Sequence, residues 1–166
     1  MKFDTSIPGA RLRAAERGDI PVILDFIRAL AEYEHMADQV VATEELLEDW
    51  LFGRRTARVI LAELEGRPVG FALFFHNFST FLGRGGVYLE DLFVLPEARG
   101  KGFGTALLKC LAAIAVEEGC GRLEWSCLDW NKPSIDFYLS LGAKPMEEWT
   151  TYRIDGEKLR EMGTDL

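Results

Sequence analysis

The period of the apolar positions changes several times along the chain, and each change marks an element. After Asp19, an N-cap residue type, Pro21 sits in a first turn and Ile20, Ile23, Ile27 and Leu30 recur at helical spacing, predicting a first helix. Thr43 caps a second, short helix predicted over 44–52, with Leu46, Leu47, Trp50 and Leu51 as its buried side and Gly53 as its stop. Residues 59–64 and 69–75 are β-rich runs joined by Glu65-Gly66-Arg67-Pro68, a hairpin turn composition, so they should pair antiparallel. Residues 77–86 read as a loop rich in Gly, Ser, Thr and Phe, and 87–95 as the next strand. Leu107, Leu108, Leu111, Ile114 and Ala115 then form the stripe of a helix over 105–118. Residues 122–128 read as a strand that a strand–helix–strand connection makes parallel to 87–95. A short helix over 135–141 stopped by Gly142, a last strand over 150–154 and a helical turn over 157–162 complete the pattern.

The chain is organised around residues 92–118. Gly100, Gly102 and Gly104 stand where a strand gives way to a helix, so the backbone can approach a ligand closely and aim several N–H groups at one anion. Lys101 precedes the last glycines instead of following them, which excludes the Walker loop, and Thr105 stands where a dinucleotide fingerprint needs its third glycine.

Composition narrows the classes. At 166 residues, 48% hydrophobic and 28% charged, the chain suits one globular domain over 1–166. No apolar run is long enough to span a bilayer, and Met1-Lys2-Phe3-Asp4-Thr5-Ser6 lacks the features of a secretion signal, so no membrane partner and a cytoplasmic location are expected. A formal charge of −8 argues against nucleic acid or anionic lipid as partner and suits a cationic small substrate. Cys110, Cys120 and Cys127 read as small core residues, His35 and His76 as isolated surface or packing histidines, and no metal site is expected.

The order of elements, Arg99-Gly100-Lys101-Gly102-Phe103-Gly104 and the run Trp130-Asn131-Lys132-Pro133-Ser134-Ile135-Asp136-Phe137-Tyr138 together resemble the GNAT superfamily of acetyl-CoA-dependent N-acetyltransferases. Leu30-Ala31-Glu32-Tyr33-Glu34 and Tyr88-Leu89-Glu90-Asp91-Leu92-Phe93-Val94 make the chain similar to the diamine branch, the spermidine/spermine N1-acetyltransferases and their thialysine-acetylating relatives. The resemblance implies an α/β (α+β) fold: a mixed, mostly antiparallel central sheet with a splayed parallel strand pair at the CoA site. It also implies acetyl-CoA as co-substrate, a small-molecule amine as acceptor, and a homodimer with contacts near residues 150–154.

By that resemblance, backbone groups of Leu92, Phe93 and Val94 would hold the pantetheine arm. Arg99, Gly100, Lys101, Gly102, Phe103, Gly104 and Thr105 would bind the pyrophosphate, and Asn131, Lys132, Pro133 and Ser134 would complete the CoA site. An amine with a pKa near 10 must lose a proton before it attacks, and Glu90 is the candidate base; Tyr138, whose hydroxyl can donate, is the candidate acid for the departing sulfur. Tyr33, Glu34, Glu90, Asp91, Glu124, Trp125, Ser126, Glu147 and Trp149 match acceptor-contacting positions, where carboxylates and aromatic faces suit a cation. Phe81 stands where polyamine-specific members tend to carry Trp, and Arg84 suggests an acceptor bearing its own carboxylate, such as a lysine analogue. A catalytically silent CoA-binding module is the alternative from another class.

Overall fold

In the computed structural model, residues 2, 3 and 5–164 are described, and they divide into a first unit, 1–126, and a second, 127–166. The first unit is built on one sheet with strands in chain order, β1 (Lys2–Phe3), β2 (Ala10–Ala14), β3 (Arg58–Leu64), β4 (Arg67–Ser79), β5 (Arg84–Val94) and β6 (Leu123–Trp125). Each of the first four pairs antiparallel with the next; β5 and β6 alone are parallel. This is the mixed, mostly antiparallel sheet expected from the sequence. Two features were not anticipated: 10–14 is a strand, and most of the expected loop 77–86 is hairpin, β4 continuing to Ser79 and β5 starting at Arg84.

The β3–β4 turn needs two left-handed residues, and Glu65 (φ 51°) and Gly66 (φ 80°) supply them, the twist that antiparallel strands favour. Register then sorts the side chains. Val59 pairs with Leu73, Leu61 with Phe71 and Phe71 with Phe93, so these share one face. On that face α1 (Ile20–Tyr33) packs Ile23 and Phe26 into a cluster with Val59, Leu61, Phe71 and Phe93; the Phe26 and Phe71 rings stack at 5.5 Å. Ile60, Ala62, Ala72 and Phe74 alternate with these, are equally buried, and meet the apolar stripe of α3 (Phe103–Glu117), Leu107, Leu111 and Ile114, on the opposite face.

Charge fixes the start of α1. Glu63, 4% exposed, points to the α1 face and accepts from Arg11 Nε (2.6 Å) and Arg13 Nε (2.7 Å). Arg13 also forks onto both oxygens of Asp19 (2.7 and 2.8 Å), the residue preceding α1, so Asp19 anchors the helix through its salt bridge and not through a side-chain cap. The second helix starts as expected with Thr43 as cap but is α-helical only over Glu44–Leu47 (α2), widening to a π-turn over Glu48–Gly53. That widening corrects the expected buried side: Leu51 is buried and Leu47 half-buried, but Leu46 is exposed and Trp50 lies outside with the Arg54 guanidinium 4.5 Å above its ring.

The second unit holds α4 (Lys132–Ser140) and α5 (Gly156–Thr164). Helix α4 begins three residues before the expected 135 because Asn131 caps it, Oδ1 accepting from Ser134 N–H at 3.4 Å, with Pro133 in the first turn. The strand expected over 150–154 does not form: Thr150, Thr151, Tyr152, Arg153 and Ile154 carry no strand pairing and are exposed. The fourth strand-like signal, 122–128, shortens to Leu123–Trp125.

Burial opposes ionisation of Glu63, but the hydrogen bonds and charges of Arg13 and Arg11 outweigh it and hold the carboxyl below its ordinary value. Its stabilising contribution is therefore present above the unfolded-state pKa of about 4.5 and lost as pH falls through the lower folded value. Glu63→Ala is expected to cost about 2 kcal/mol by urea unfolding at pH 7, since it removes the charged hydrogen bonds to Arg11 and Arg13 and leaves Asp19 alone to pair Arg13, and the difference from wild type should shrink as pH approaches 3. A constant difference across that range would show that the charge pairing is not the source.

Candidate active site

Strand β5 carries a bulge. Leu73 pairs with Asp91 and Phe74 with Leu89, so Glu90 has no partner across the hairpin. The extra residue shifts the phase of the strand: Leu89 lies on the α3 face, while Asp91, still an odd-numbered position, lies with Phe93 on the α1 face. The same shift acts on the backbone. Val87 N–H donates to the carbonyl of Arg122, the residue before β6, at 3.0 Å, and Leu95 N–H donates to the carbonyl of Val69 in β4 at 2.8 Å. Counting back from Leu95, Phe93 faces β4, whereas Leu92 and Val94 turn their N–H and C=O groups to the β6 side. There the parallel ladder has ended, since it joins only Val87–Leu89 to Leu123–Trp125. The splayed parallel pair thus leaves an open edge from Leu92 to Val94, and of the three backbone positions named from the sequence, Phe93 belongs to the sheet instead.

Just beyond, Gly100 (φ 75°) and Gly102 (φ 91°) take left-handed conformations that a side chain would resist, and Gly102 opens α3 without a side-chain cap. Ala106 N–H is bonded to the Gly102 carbonyl at 2.9 Å, so the N–H groups of Phe103, Gly104 and Thr105 precede the helical ladder at the positive end of a 15-residue helix. Lys101 is exposed beside them. Arg99 is not turned to this cradle. Its Nε donates to the Val94 carbonyl (2.9 Å) and its guanidinium lies 5.2 Å from the Tyr33 ring centre and 5.5 Å from that of Phe93.

Three carboxylates converge at the bulge. Asp91 is half-buried, and burial, then the charges of Glu90 and Glu34, push its pKa up to about 6. Burial likewise raises Glu34, held at the end of α1 by a turn in which Met36 N–H reaches back to Ala31 (2.8 Å) and His35 takes φ 59°, a left-handed conformation costly for a residue with a side chain. Glu90 is exposed at the bulge.

Other acceptor positions named from the sequence have partners within the sheet. Glu124 Oε1 is taken by Asn77 Nδ2 (2.9 Å) and Arg122 Nε (2.8 Å), and the Ser126 hydroxyl bonds Tyr88 at 2.8 Å, so both knit β6 to its neighbours, with Trp125 half-buried beside them. Arg84 begins β5, about 20 Å of strand from Asp91, which removes it from this cluster. In the second unit Glu147 and Trp149 are exposed, Lys132 pairs with Asp136 (2.7 Å), and Tyr138 is half-buried with its ring 5.4 Å from Phe137. His76, Glu118 and Cys120 offer three donor atoms within 4.8 Å at the far end of α3, but Arg58 (2.6 Å) and His76 (2.7 Å) already occupy both oxygens of Glu118.

The profile of the Acetyltransferase (GNAT) family matches residues 24–143. The chain belongs to the GNAT acetyltransferase family. It is 40% identical to the thialysine N-epsilon-acetyltransferase of Bos taurus over 163 residues, covering 91% of this chain and 95% of that one. It is 32% identical to the L-ornithine N5-acetyltransferase NATA1 of Arabidopsis thaliana, with 91% and 86% covered. Among solved structures, an integron cassette protein from the mobile metagenome of V. cholerae superposes with a TM-score of 0.79 at 29% identity, covering 95% of this chain and 99% of that one. The acetyltransferase is thus an N-acetyltransferase of small-molecule amines, and its family uses acetyl-CoA. The residues present fit that co-substrate: an uncapped helix N-terminus suits a pyrophosphate, and an open strand edge suits a chain of amides.

The raised pKa of Asp91 has a consequence for folding. The protonated form is favoured in the folded state, so the stability it contributes is full below about 3.8 and is lost as pH rises through about 6. Asp91→Asn should therefore stabilise the acetyltransferase by on the order of 2 kcal/mol at pH 7.5 and by nothing measurable at pH 3.5, read from urea midpoints at the two pH values. Equal effects at both would remove the carboxylate crowding.

Proposed function

We propose that the protein transfers an acetyl group from acetyl-CoA to the terminal primary amine of a small, cationic, aliphatic acceptor by direct attack in a ternary complex. The observation that carries this reading is the convergence of Glu34, Glu90 and Asp91 beside the open β5 edge. Acetyl-CoA supplies the activated acetyl group. The N–H groups of Phe103, Gly104 and Thr105, with Lys101, hold the pyrophosphate, and Leu92 and Val94 pair with the amides of the arm. One of these edge N–H groups is the donor to the carbonyl oxygen as it gains charge. Glu34 and Asp91, with the Tyr33 ring, hold the ammonium; Glu90, exposed on the bulge, takes its proton through water. For Tyr138 as the acid that protonates the sulfur, and for Asn131–Ser134 in the CoA site, the support is the resemblance of 130–138 to the family's motif.

A second reading, in which the acceptor is an amino acid with a side-chain amine, is favoured by the relatives, whose names specify thialysine and ornithine. Diamines and such amino acids present the same ammonium to the same carboxylates, so the panel below separates them.

Thiol release from acetyl-CoA, followed across spermidine, putrescine, diaminopropane, lysine, ornithine and thialysine, should show one acceptor class preferred by kcat/KM. With that acceptor, Tyr138→Phe and Glu90→Gln should each lower kcat by about 100-fold while CoA binding holds, and acceptor KM should rise as pH falls below about 6, where Asp91 gains a proton. Acceptor-independent release throughout the panel would overturn the reading.

The same proposal includes a homodimer in the cytoplasm. The second unit exposes Met146, Trp149, Tyr152 and Ile154, an apolar set that a second copy would cover. Light scattering is expected to give a dimer mass, and a monomer mass at micromolar concentration would refute it.

A further inference from the structure

We infer that Arg99 is a positioning residue that ties the acceptor end of α1 to the donor loop, so that CoA on the loop orders Tyr33 and Glu34 for the amine. This rests on the assignment of residues 100–105 to CoA. An arginine opening a glycine-rich loop at a helix start is expected to be a phosphate ligand, and the geometry gives it other work. The Arg99 backbone is extended (φ −67°, ψ 158°) and leads directly into the left-handed Gly100, so its main chain is the first link of the cradle. Its side chain turns back over the sheet, Nε on the Val94 carbonyl at 2.9 Å, with the guanidinium over Phe93 and Tyr33 at 5.5 and 5.2 Å.

Each contact belongs to a different part of the site. Val94 ends the open edge, so by taking its carbonyl Arg99 sets where an amide chain docked along that edge must stop. Phe93 is a core residue of the α1 face and does not move with the loop. Tyr33 is the last residue of α1, one position before Glu34, and beyond it the chain turns through the left-handed His35, Met36 N–H reaching back to Ala31. Helix ends fray most readily, so a planar cation stacked on Tyr33 changes how long Glu34 stays at Asp91. Drawing the loop backbone onto a ligand fixes the base of Arg99 and with it this stack, which is a positive coupling between the two ligands. Lysine keeps the charge but has neither the plane nor the Nε geometry, so Arg99→Lys separates positioning from simple attraction to phosphate.

The test is amide hydrogen exchange of residues 31–36 in the wild type, Arg99→Lys and Arg99→Gln, each with and without saturating CoA, together with steady-state kinetics on the best acceptor. CoA should slow exchange at 31–36 in the wild type and leave it unchanged in Arg99→Gln. Arg99→Lys should bind CoA within about twofold of wild type while acceptor KM rises about fivefold, more than kcat falls. Unchanged exchange at 31–36 on CoA binding to the wild type overturns the coupling, as does a loss of CoA affinity with acceptor KM intact, which would make Arg99 a phosphate ligand. Should CoA bind but no amine be turned over, the acceptor reading fails and the exchange experiment still decides this one. Failure of the wild type to bind CoA overturns the donor assignment and this inference with it.

Discussion

One unpaired residue in β5 sets the geometry of the site. A regular strand keeps every second side chain on one face and every second N–H on one edge, so Val87, Leu89, Asp91 and Phe93 would all share a face if the β4–β5 ladder were unbroken. The bulge at Glu90 lets Val87 and Leu89 serve the α3 side while Asp91 and Phe93 serve the α1 side. It also turns Leu92 and Val94 toward an edge that the short β6 no longer covers. One insertion thus brings a carboxylate to the end of α1, exposes a second at the bend, and frees backbone groups next to a glycine-opened helix.

The sheet then fixes everything around that point. Glu63 and Arg13 anchor the start of α1 through Asp19, and Ile23 and Phe26 pack the helix on the sheet, which directs its far end toward Asp91. Burial, and then the charges of Glu90 and Glu34, push the Asp91 carboxyl up to about 6, and an ammonium is the species that would relieve that cost. Under the proposed function, binding of that cation sets the protonation state of the site's own acids. Arg99, the cation stacked on Tyr33 beside Glu34, is engaged by a carbonyl and two rings.

Much of this was legible in the chain. Periodicity located α1, α3, the β3–β4 hairpin and the parallel return strand, because each buries one face and so leaves a pattern of apolar positions. The glycines at 100 and 102 marked the cradle because only glycine tolerates those angles readily. Glu90 and Asp91 were named, but as neighbours alternating on a strand; nothing in a string of residue types distinguishes a bulge from a regular register, since that depends on the partner strand. Arg99 was read as a phosphate ligand for the same reason: its charge is in the sequence, and its partners Tyr33 and Phe93, distant or buried, are not. Glu124 and Ser126 match acceptor positions by resemblance alone, and in the fold Asn77, Arg122 and Tyr88 take their polar groups. The strand expected at 150–154 failed because β propensity needs a partner edge to become structure, and those residues pair with none.

The sequence by itself determined the family, the glycine-opened start of α3 and the class of chemistry, because these rest on local conformational demands and on residue types close together in the chain. Only the tertiary structure decided which backbone groups face the open edge, which carboxylates meet, and what Arg99 holds. Those are matters of register and of contacts between residues dozens of positions apart, and a shift of one residue in pairing reverses each of them.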